Sequence, residues 1–343
     1  MTEPVVIWGA GAMGGTIGAH LARAGQKVLF VDTVPEHVRA MRERGLHIAG
    51  PIADFTVPAQ ALHPQEFKER FYTILLCVKA HHTDTATRTL LPHLQPDGVV
   101  VSVQNGLNES VIASIVGAER TFGCFVNFGA DYIEPGVIHF GGRGTVAVGE
   151  LNGAITPRAR EIHALFRTFE PRALLSNNVW GFLWSKLAYA GMLFATALSD
   201  ESIADALARP EHRFIYTGLA REVVQVAAAH RIRLELFDGF DPRAFSPDAP
   251  ADAAERSLDE LVAHNRKSAK THSGIYRDLA VRKRKTEVDA QLGPVIERGR
   301  AARIATPLTA RVRALIHEIE EGKRGLTPAN LDEMAAGAAL PQS

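Results

Sequence analysis

The sequence predicts an α/β protein in two parts, a doubly wound parallel sheet at the N-terminus and an all-helical domain after it. Three observations carry this. Short β-branched runs alternate with amphipathic helical stretches through the first half, the pattern of parallel βαβ units. A glycine turn, Gly9-Ala10-Gly11-Ala12-Met13-Gly14, follows the first of those runs directly. Strand signals cease after Asn177. A chain of 343 residues is long for one compact α/β domain and comfortable for two. The expected parts are residues 1–176, residues 177–326 and a frayed tail over residues 327–343.

Val5-Val6-Ile7-Trp8 reads as the first strand, and Ile17 and Leu21 share one face of the helix that follows. Residues 27–31 form a second strand, and Pro35 opens the next helix near its start, where proline is tolerated. Residues 73–78 and 99–103 are near-continuous apolar runs, as strands buried on both faces are. A helix over residues 83–94 lies between them. Glycine-punctuated runs such as Gly136-Val137-Ile138-His139-Phe140 and Gly144-Thr145-Val146-Ala147-Val148 read as antiparallel additions at the sheet edge. A last strand falls at residues 172–176. Helices are then expected over residues 179–197, 211–230, 277–303 and 307–323. In the last, Val312, Leu315, Ile316 and Ile319 make one apolar stripe. Residues 241–252, rich in Pro, Asp and Ala, read as a surface loop.

Composition narrows the partners. Hydrophobic residues make up 46% of the chain, enough for a sizeable core and against disorder. The 38 basic and 38 acidic residues cancel, whereas nucleic-acid and anionic-lipid binders usually show a basic excess. A small-molecule substrate is therefore expected, with no nucleic acid and no membrane. Cys77 and Cys124 sit in apolar runs and read as buried thiols rather than a disulfide. No zinc-type spacing appears, and no metal is expected. The start runs straight into a strand, without a signal peptide. The apolar stretch from Leu187 to Leu198 is shorter than the ~20 residues of a bilayer span. A cytoplasmic location is expected.

The glycine turn carries the first chemistry. Gly9 permits a tight exit from the strand, Gly11 lets the backbone meet a pyrophosphate, and Gly14 allows helix and strand to pack closely. Ala10, Ala12 and Met13 complete the turn, and the helix N-terminus supplies N–H groups and a positive dipole end. This is the Rossmann-type signature of a nicotinamide dinucleotide site. Asp32, at the tip of the second strand, suits the adenosine ribose hydroxyls and would repel a 2′-phosphate, which favours NAD over NADP. It reads otherwise as a helix cap. Lys79 and Asn105 stand at the carboxyl ends of two strands, where open α/β sheets bind ligands. The plainer readings are a solvated lysine and an Asn-Gly turn.

The ordered set Gly9 to Gly14, Val78-Lys79-Ala80, Gln104-Asn105-Gly106, Trp184-Ser185-Lys186-Leu187 and Arg282 through Asp289 resembles the ketopantoate reductase family. The resemblance implies a Rossmann domain joined to a helical domain akin to that of 6-phosphogluconate dehydrogenase, with catalysis in the cleft between. Lys186 matches the family's catalytic lysine. It is placed at a helix start among Trp184, Leu187 and Ala188, where desolvation disfavours the ammonium and suits a proton donor. From the residues alone a snorkelling lysine is the plainer reading. Glu287 matches an acid that contacts a substrate hydroxyl, against the plain reading of an exposed helix-face glutamate. Ser273 lies where the family has substrate-binding serines. Lys79 and Asn105 are implied in cofactor and substrate binding.

Two departures bear on the substrate. Ala190 and Phe194 stand four and eight residues after Lys186, where the family places asparagines. The run Arg282-Lys283-Arg284-Lys285 is more basic than the pattern requires. The reading is a dehydrogenase for a small 2-oxo or 2-hydroxy acid with an altered pocket. Three alternatives stay open: a ketopantoate reductase proper, a catabolic sugar-acid or hydroxy-acid dehydrogenase, and a non-catalytic NAD-binding sensor. A homodimer is the protein association expected.

Overall fold

A computed structural model describes residues 3–267 and 271–338. The chain divides into two compact units, residues 1–180 and 181–343. Among the described residues, no helix is long and apolar enough to cross a membrane.

The first unit opens with β1 (Val5–Trp8), α1 (Ala12–Arg23), β2 (Val28–Val31) and α2 (Pro35–Arg44). Three short strands follow, β3 (Leu46–Ala49), β4 (Phe55–Val57) and β5 (Gln60–Leu62). Then come β6 (Phe71–Leu76), α3 (Thr83–Leu90), β7 (Leu94–Ser102), α4 (Glu109–Val116) and β8 (Thr121–Val126). The unit ends with β9 (Gly129–Glu134), β10 (Val137–Gly142), β11 (Val146–Glu150), α5 (Pro157–Phe169) and β12 (Leu174–Leu175). Eight strands form one sheet in the order β12-β11-β8-β7-β6-β1-β2-β5. Only the β8–β11 pair in it is antiparallel. The chain runs outward from β1 in both directions, so the doubly wound class stands. The switch point lies beside β1, where such sheets bind ligands outside the strand ends. Val5, Val6, Ile7, Ile74, Leu75, Val99, Val100 and Val101 are fully buried, as strands covered on both faces require.

The run at residues 136–140 departs from expectation. It does not extend the main sheet. β10 pairs antiparallel with β9 and parallel with β3, and β4 completes a separate four-stranded sheet. That sheet packs on α1. Gly15 makes this possible, because a Cβ there would lie 2.2 Å from Ile138 Cδ1. Strands of three and four residues carry too little periodicity to be read locally.

Helix α6 (Val179–Thr196) spans the division between the units. The second unit continues with α7 (Ile203–Ala208), α8 (Arg213–Ala229), α9 (Ala253–Arg266), α10 (Gly274–Tyr276), α11 (Val288–Ala302), α12 (Pro307–Glu320) and α13 (Ala329–Ala338). Three expectations change here. The loop over residues 241–252 is not all surface, since Phe245 is fully buried and stacks on Phe240 at 5.8 Å. The helix expected over residues 277–303 is broken: Arg277–Val281 is one wide π turn, Lys283 adopts φ +49°, and α11 starts only at Val288. The tail is not frayed over its described part. Leu331 and Met334 of α13 are buried, and Asn330 Nδ2 donates to Leu198 C=O at 2.7 Å. Residues 339–343 of that tail lie outside the described residues.

Buried Glu222 on α8 orders α12. Its carboxylate accepts the Leu308 and Thr309 N–H groups, both at 2.8 Å, and the Thr309 hydroxyl at 2.7 Å. A negative group at a helix N-terminus also favours the dipole. Removing it leaves buried donors unmet, each at a cost of about 1–3 kcal/mol. Glu222→Ala should therefore lower the melting temperature by several degrees in calorimetry, with Glu222→Gln in between. An unchanged melting temperature would show that water replaces the carboxylate without loss.

Candidate active site

The turn from β1 into α1 has almost no spare room on its inner side. Gly9 adopts φ +100°, and a Cβ there would lie 2.9 Å from Val78 N. A Cβ on Gly14 would lie 2.2 Å from Gly9 O and 2.8 Å from Cys77 Cβ. The outer side is the reverse. A Cβ on Gly11 would meet no atom within 4 Å. Gly11 caps α1 without a side chain, so the first N–H groups, on Ala12 and Met13, face that open space. The turn therefore fits a dinucleotide pyrophosphate, which needs backbone approach and N–H donors.

Asp32 lies against this turn. Its Oδ2 accepts the Ala10 N–H at 2.9 Å and its Oδ1 accepts the Val34 N–H at 3.0 Å. The cap of α2 is Val34, with no side-chain bond, so Asp32 is not the helix cap. Sequence reasoning missed His37, which is almost wholly buried. Its Nδ1 accepts the Gly136 N–H at 3.0 Å, so the proton sits on Nε2, which donates to Ala10 C=O at 2.9 Å. Both peptide groups that flank the Ala10 α-carbon are thus held. A lone histidine in a helix offers no local signal of this.

A second turn stands at the ends of β6 and β7. Gln104 Nε2 donates to Val78 C=O at 2.9 Å and to Thr83 Oγ1 at 2.8 Å, joining the two strand ends. Asn108 Nδ2 donates to Asn105 C=O at 2.7 Å. Gln104 and Asn108 are buried, Asn105 is half-buried and Lys79 is exposed. Behind the turn Glu109 is fully buried, and among the described residues no cation stands against its carboxyl to offset that burial. Burial pushes its pKa up to about 7, with its own N–H and the Ser102 hydroxyl pulling weakly the other way. Burial also pushes the Cys77 thiol up, which makes it inert.

In the second unit Lys186 is half-buried and sits two turns into α6, not at its start. Trp184 and Leu187 beside it are buried. Trp184 stacks on His230, with the Arg298 guanidinium 5.8 Å from its ring centre. Ser185 donates to Gly181 C=O and accepts the Glu235 N–H at 3.0 Å. Ser273 is buried and accepts the Tyr276 N–H at 3.1 Å as the cap of α10, which leaves its own proton to donate. Glu287 is buried and immediately precedes α11, so it is not on an exposed helix face. Its neighbour Thr286 is clamped through N–H and hydroxyl to Glu320, both at 2.7 Å. Asp289 bonds Arg313 at 2.6 Å and His317 at 3.0 Å on α12. The basic run is partly neutralised, because buried Asp278 takes Arg282 at 3.1 Å and Arg284 at 2.8 Å.

A switch-point glycine turn with an acid at the next strand end, followed by a helical unit, defines a nicotinamide-dependent oxidoreductase. Family models narrow this. Residues 5–153 match ketopantoate reductase PanE/ApbA, and residues 178–320 match its C-terminal part. The chain belongs to the ketopantoate reductase family, whose members act on a CH–OH group. It is 28% identical over 317 residues to the 2-dehydropantoate 2-reductase of Halobacterium salinarum, covering 91% of this chain and 97% of that one. With the Pyrococcus abyssi 2-dehydropantoate 2-reductase it is also 28% identical, over 93% and 99% of the two chains. A PanE/ApbA family ketopantoate reductase structure from Ralstonia eutropha superposes with a TM-score of 0.79 at 25% identity, over 94% of this chain and 99% of that one. D-mandelate dehydrogenase, solved with NADH and anilino(oxo)acetate, gives a TM-score of 0.80 at 22% identity, over 93% and 99%.

Glu109 yields a pH test of this geometry. Its pKa rises from 4.5 to about 7 on folding, so the folded chain holds a proton that the unfolded chain releases. Its contribution to stability is full below about 4.5 and falls as pH rises to about 7, by roughly 3 kcal/mol. Glu109→Gln cannot ionise. It should melt above wild type at pH 8, with the gap closing by pH 5. A gap independent of pH would show that Glu109 is ionised in the fold.

Proposed function

We propose that the protein interconverts a small 2-oxo acid and the matching 2-hydroxy acid with NAD(H), and that this acid carries an apolar side group. The observation that carries the substrate part is the face of α6 around Lys186. Of the residues after Lys186, Tyr189 and Leu193 stay half-buried, while Ala190 is nearly and Phe194 fully buried. At about 100° per residue, Lys186, Tyr189 and Leu193 share one stripe, with Ala190 at its flank. Tyr189 packs on Phe240 at 5.4 Å and Phe237 at 6.4 Å. Beside Lys186 the stripe offers aromatic and aliphatic surface, and its one polar group, the Tyr189 hydroxyl, is bonded to Asn265. Ketopantoate brings a hydroxyl on its side group, and burying that unpaired costs about 1–3 kcal/mol. The solved D-mandelate dehydrogenase, which holds an aromatic 2-oxo acid analogue, fits the same direction.

Bound at the strand ends, the nicotinamide supplies or accepts the hydride at the carbonyl carbon. Lys186 gives its proton to the developing alkoxide oxygen in reduction and takes it back in oxidation. Asn105, Ser273 and Lys79 hold the carboxylate end of the acid, and Glu287 orients the 2-hydroxyl. Each Asp32 oxygen accepts one backbone N–H and keeps a lone pair for a ribose hydroxyl. A 2′-phosphate would face that carboxylate, which favours NAD(H).

Lys186→Ala should lower kcat by about 10²- to 10⁴-fold, the usual worth of a general acid. NADH binding, followed by fluorescence, should survive. Near-normal turnover would remove Lys186 from the mechanism. A screen of 2-oxo and 2-hydroxy acids with each cofactor, read by nicotinamide absorbance, tests the substrate. The best apolar acid should exceed ketopantoate in kcat/KM by about tenfold or more, the discrimination that one unpaired group supplies. Ketopantoate as the best acid, unmatched by any other, restores the plain family activity.

A further inference from the structure

The second sheet does more than cover α1. Its edge strand β9 carries Tyr132, paired in register with Ile138 of β10. The Tyr132 ring meets His37 edge-to-face at 5.0 Å. His37 is the residue that ties Gly136, in the β9–β10 hairpin, to the Ala10 carbonyl of the glycine turn. One buried imidazole therefore fixes the hairpin, its tyrosine and the dinucleotide turn as a set. The ring is only half-buried, so part of it faces out beside the turn. Burial, and then the negative charges of Asp32, Glu36 and Glu134, keep its hydroxyl protonated. Asp32 bonds the same residue, Ala10, that His37 holds, so ring, imidazole and carboxylate converge on the start of the glycine turn.

We propose that Tyr132 is a cofactor-specificity residue, a wall of the adenosine-ribose site that, with Asp32, decides between a 2′-hydroxyl and a 2′-phosphate. This rests on the reading of Asp32 as the ribose carboxylate. Two physical effects act together there. The ring occupies volume on the hairpin side, packed against an imidazole that is itself held at both nitrogens. The acids at positions 32, 36 and 134 set a negative field around that wall. A 2′-hydroxyl tolerates both, while a dianionic 2′-phosphate meets steric and electrostatic opposition at once.

The test is the ratio of NADPH to NADH dissociation constants, measured by nicotinamide fluorescence on the full chain. Tyr132→Ala should lower the ratio by about fivefold or more, and Tyr132→Phe, which keeps the ring, should stay within about twofold of wild type. Tyr132→Arg places a cation at this half-exposed edge position and should also lower the ratio by about fivefold or more, so the test survives if the alanine variant fails to fold. An unchanged ratio in the folded Tyr132 variants overturns the proposal. Asp32→Ala serves as the reference. If it shifts the ratio while the Tyr132 variants do not, Tyr132 is only packing and the ribose reading of Asp32 stands. If no variant at either position shifts the ratio, both fail.

Discussion

The backbone of Ala10 is the point on which the first unit turns. Its N–H is taken by Asp32 and its C=O by His37, at 2.9 Å each. The first bond fixes the Gly9–Ala10 peptide and the second the Ala10–Gly11 peptide, so the two planes that meet at Ala10 are both pinned, and leaving either group unmet in a dry site would cost about 1–3 kcal/mol. The turn must then exit β1 through Gly9 at a positive φ, and α1 must start at the next residues. Where the α1 N-terminus points, and how far the acid of β2 stands from it, are set by the same two bonds. His37 extends the constraint outward, since its other nitrogen holds the hairpin of the second sheet.

The second unit uses carboxylates in the same way. Glu222 receives the start of α12, Glu320 receives Thr286, Asp278 receives Arg282 and Arg284, and Asp289 ties α11 to α12. Between the Asp278 and Glu320 clamps the chain cannot continue as helix. It leaves the wide turn after Val281, passes through a left-handed Lys283 and delivers Glu287 to the head of α11. The broken helix is thus what places the acid. Two of the four cations of residues 282–285 share the one Asp278 carboxylate, so part of the basic run is structural.

Chemistry and packing meet on α6. Trp184 and Leu187 bury one side, and Lys186 is left half-buried on another with Tyr189 and Leu193. The side chains beside it on that face are aromatic and aliphatic, with the Tyr189 hydroxyl turned to Asn265.

What the sequence by itself determined is what local chemistry encodes. The glycine spacing, the doubly buried strands β1, β6 and β7, the acid after β2 and the amphipathic stripe of α12 each depend on neighbours within a turn or a strand, and each was legible. The ordered motifs added the family. Only the tertiary structure decided the rest. The second sheet joins strands about 90 residues apart in the chain, as β3 to β10, so no window of sequence contains it. His37 acts through Ala10 and Gly136, 27 and 99 residues away. The break at residues 282–287 comes from acids at positions 278 and 320, and α13 holds because Leu331 and Met334 find a core that the earlier helices supply. Side-chain bonds to distant backbone carry no periodicity, and burial of a short segment depends on what it meets, which is why these features wait for the fold.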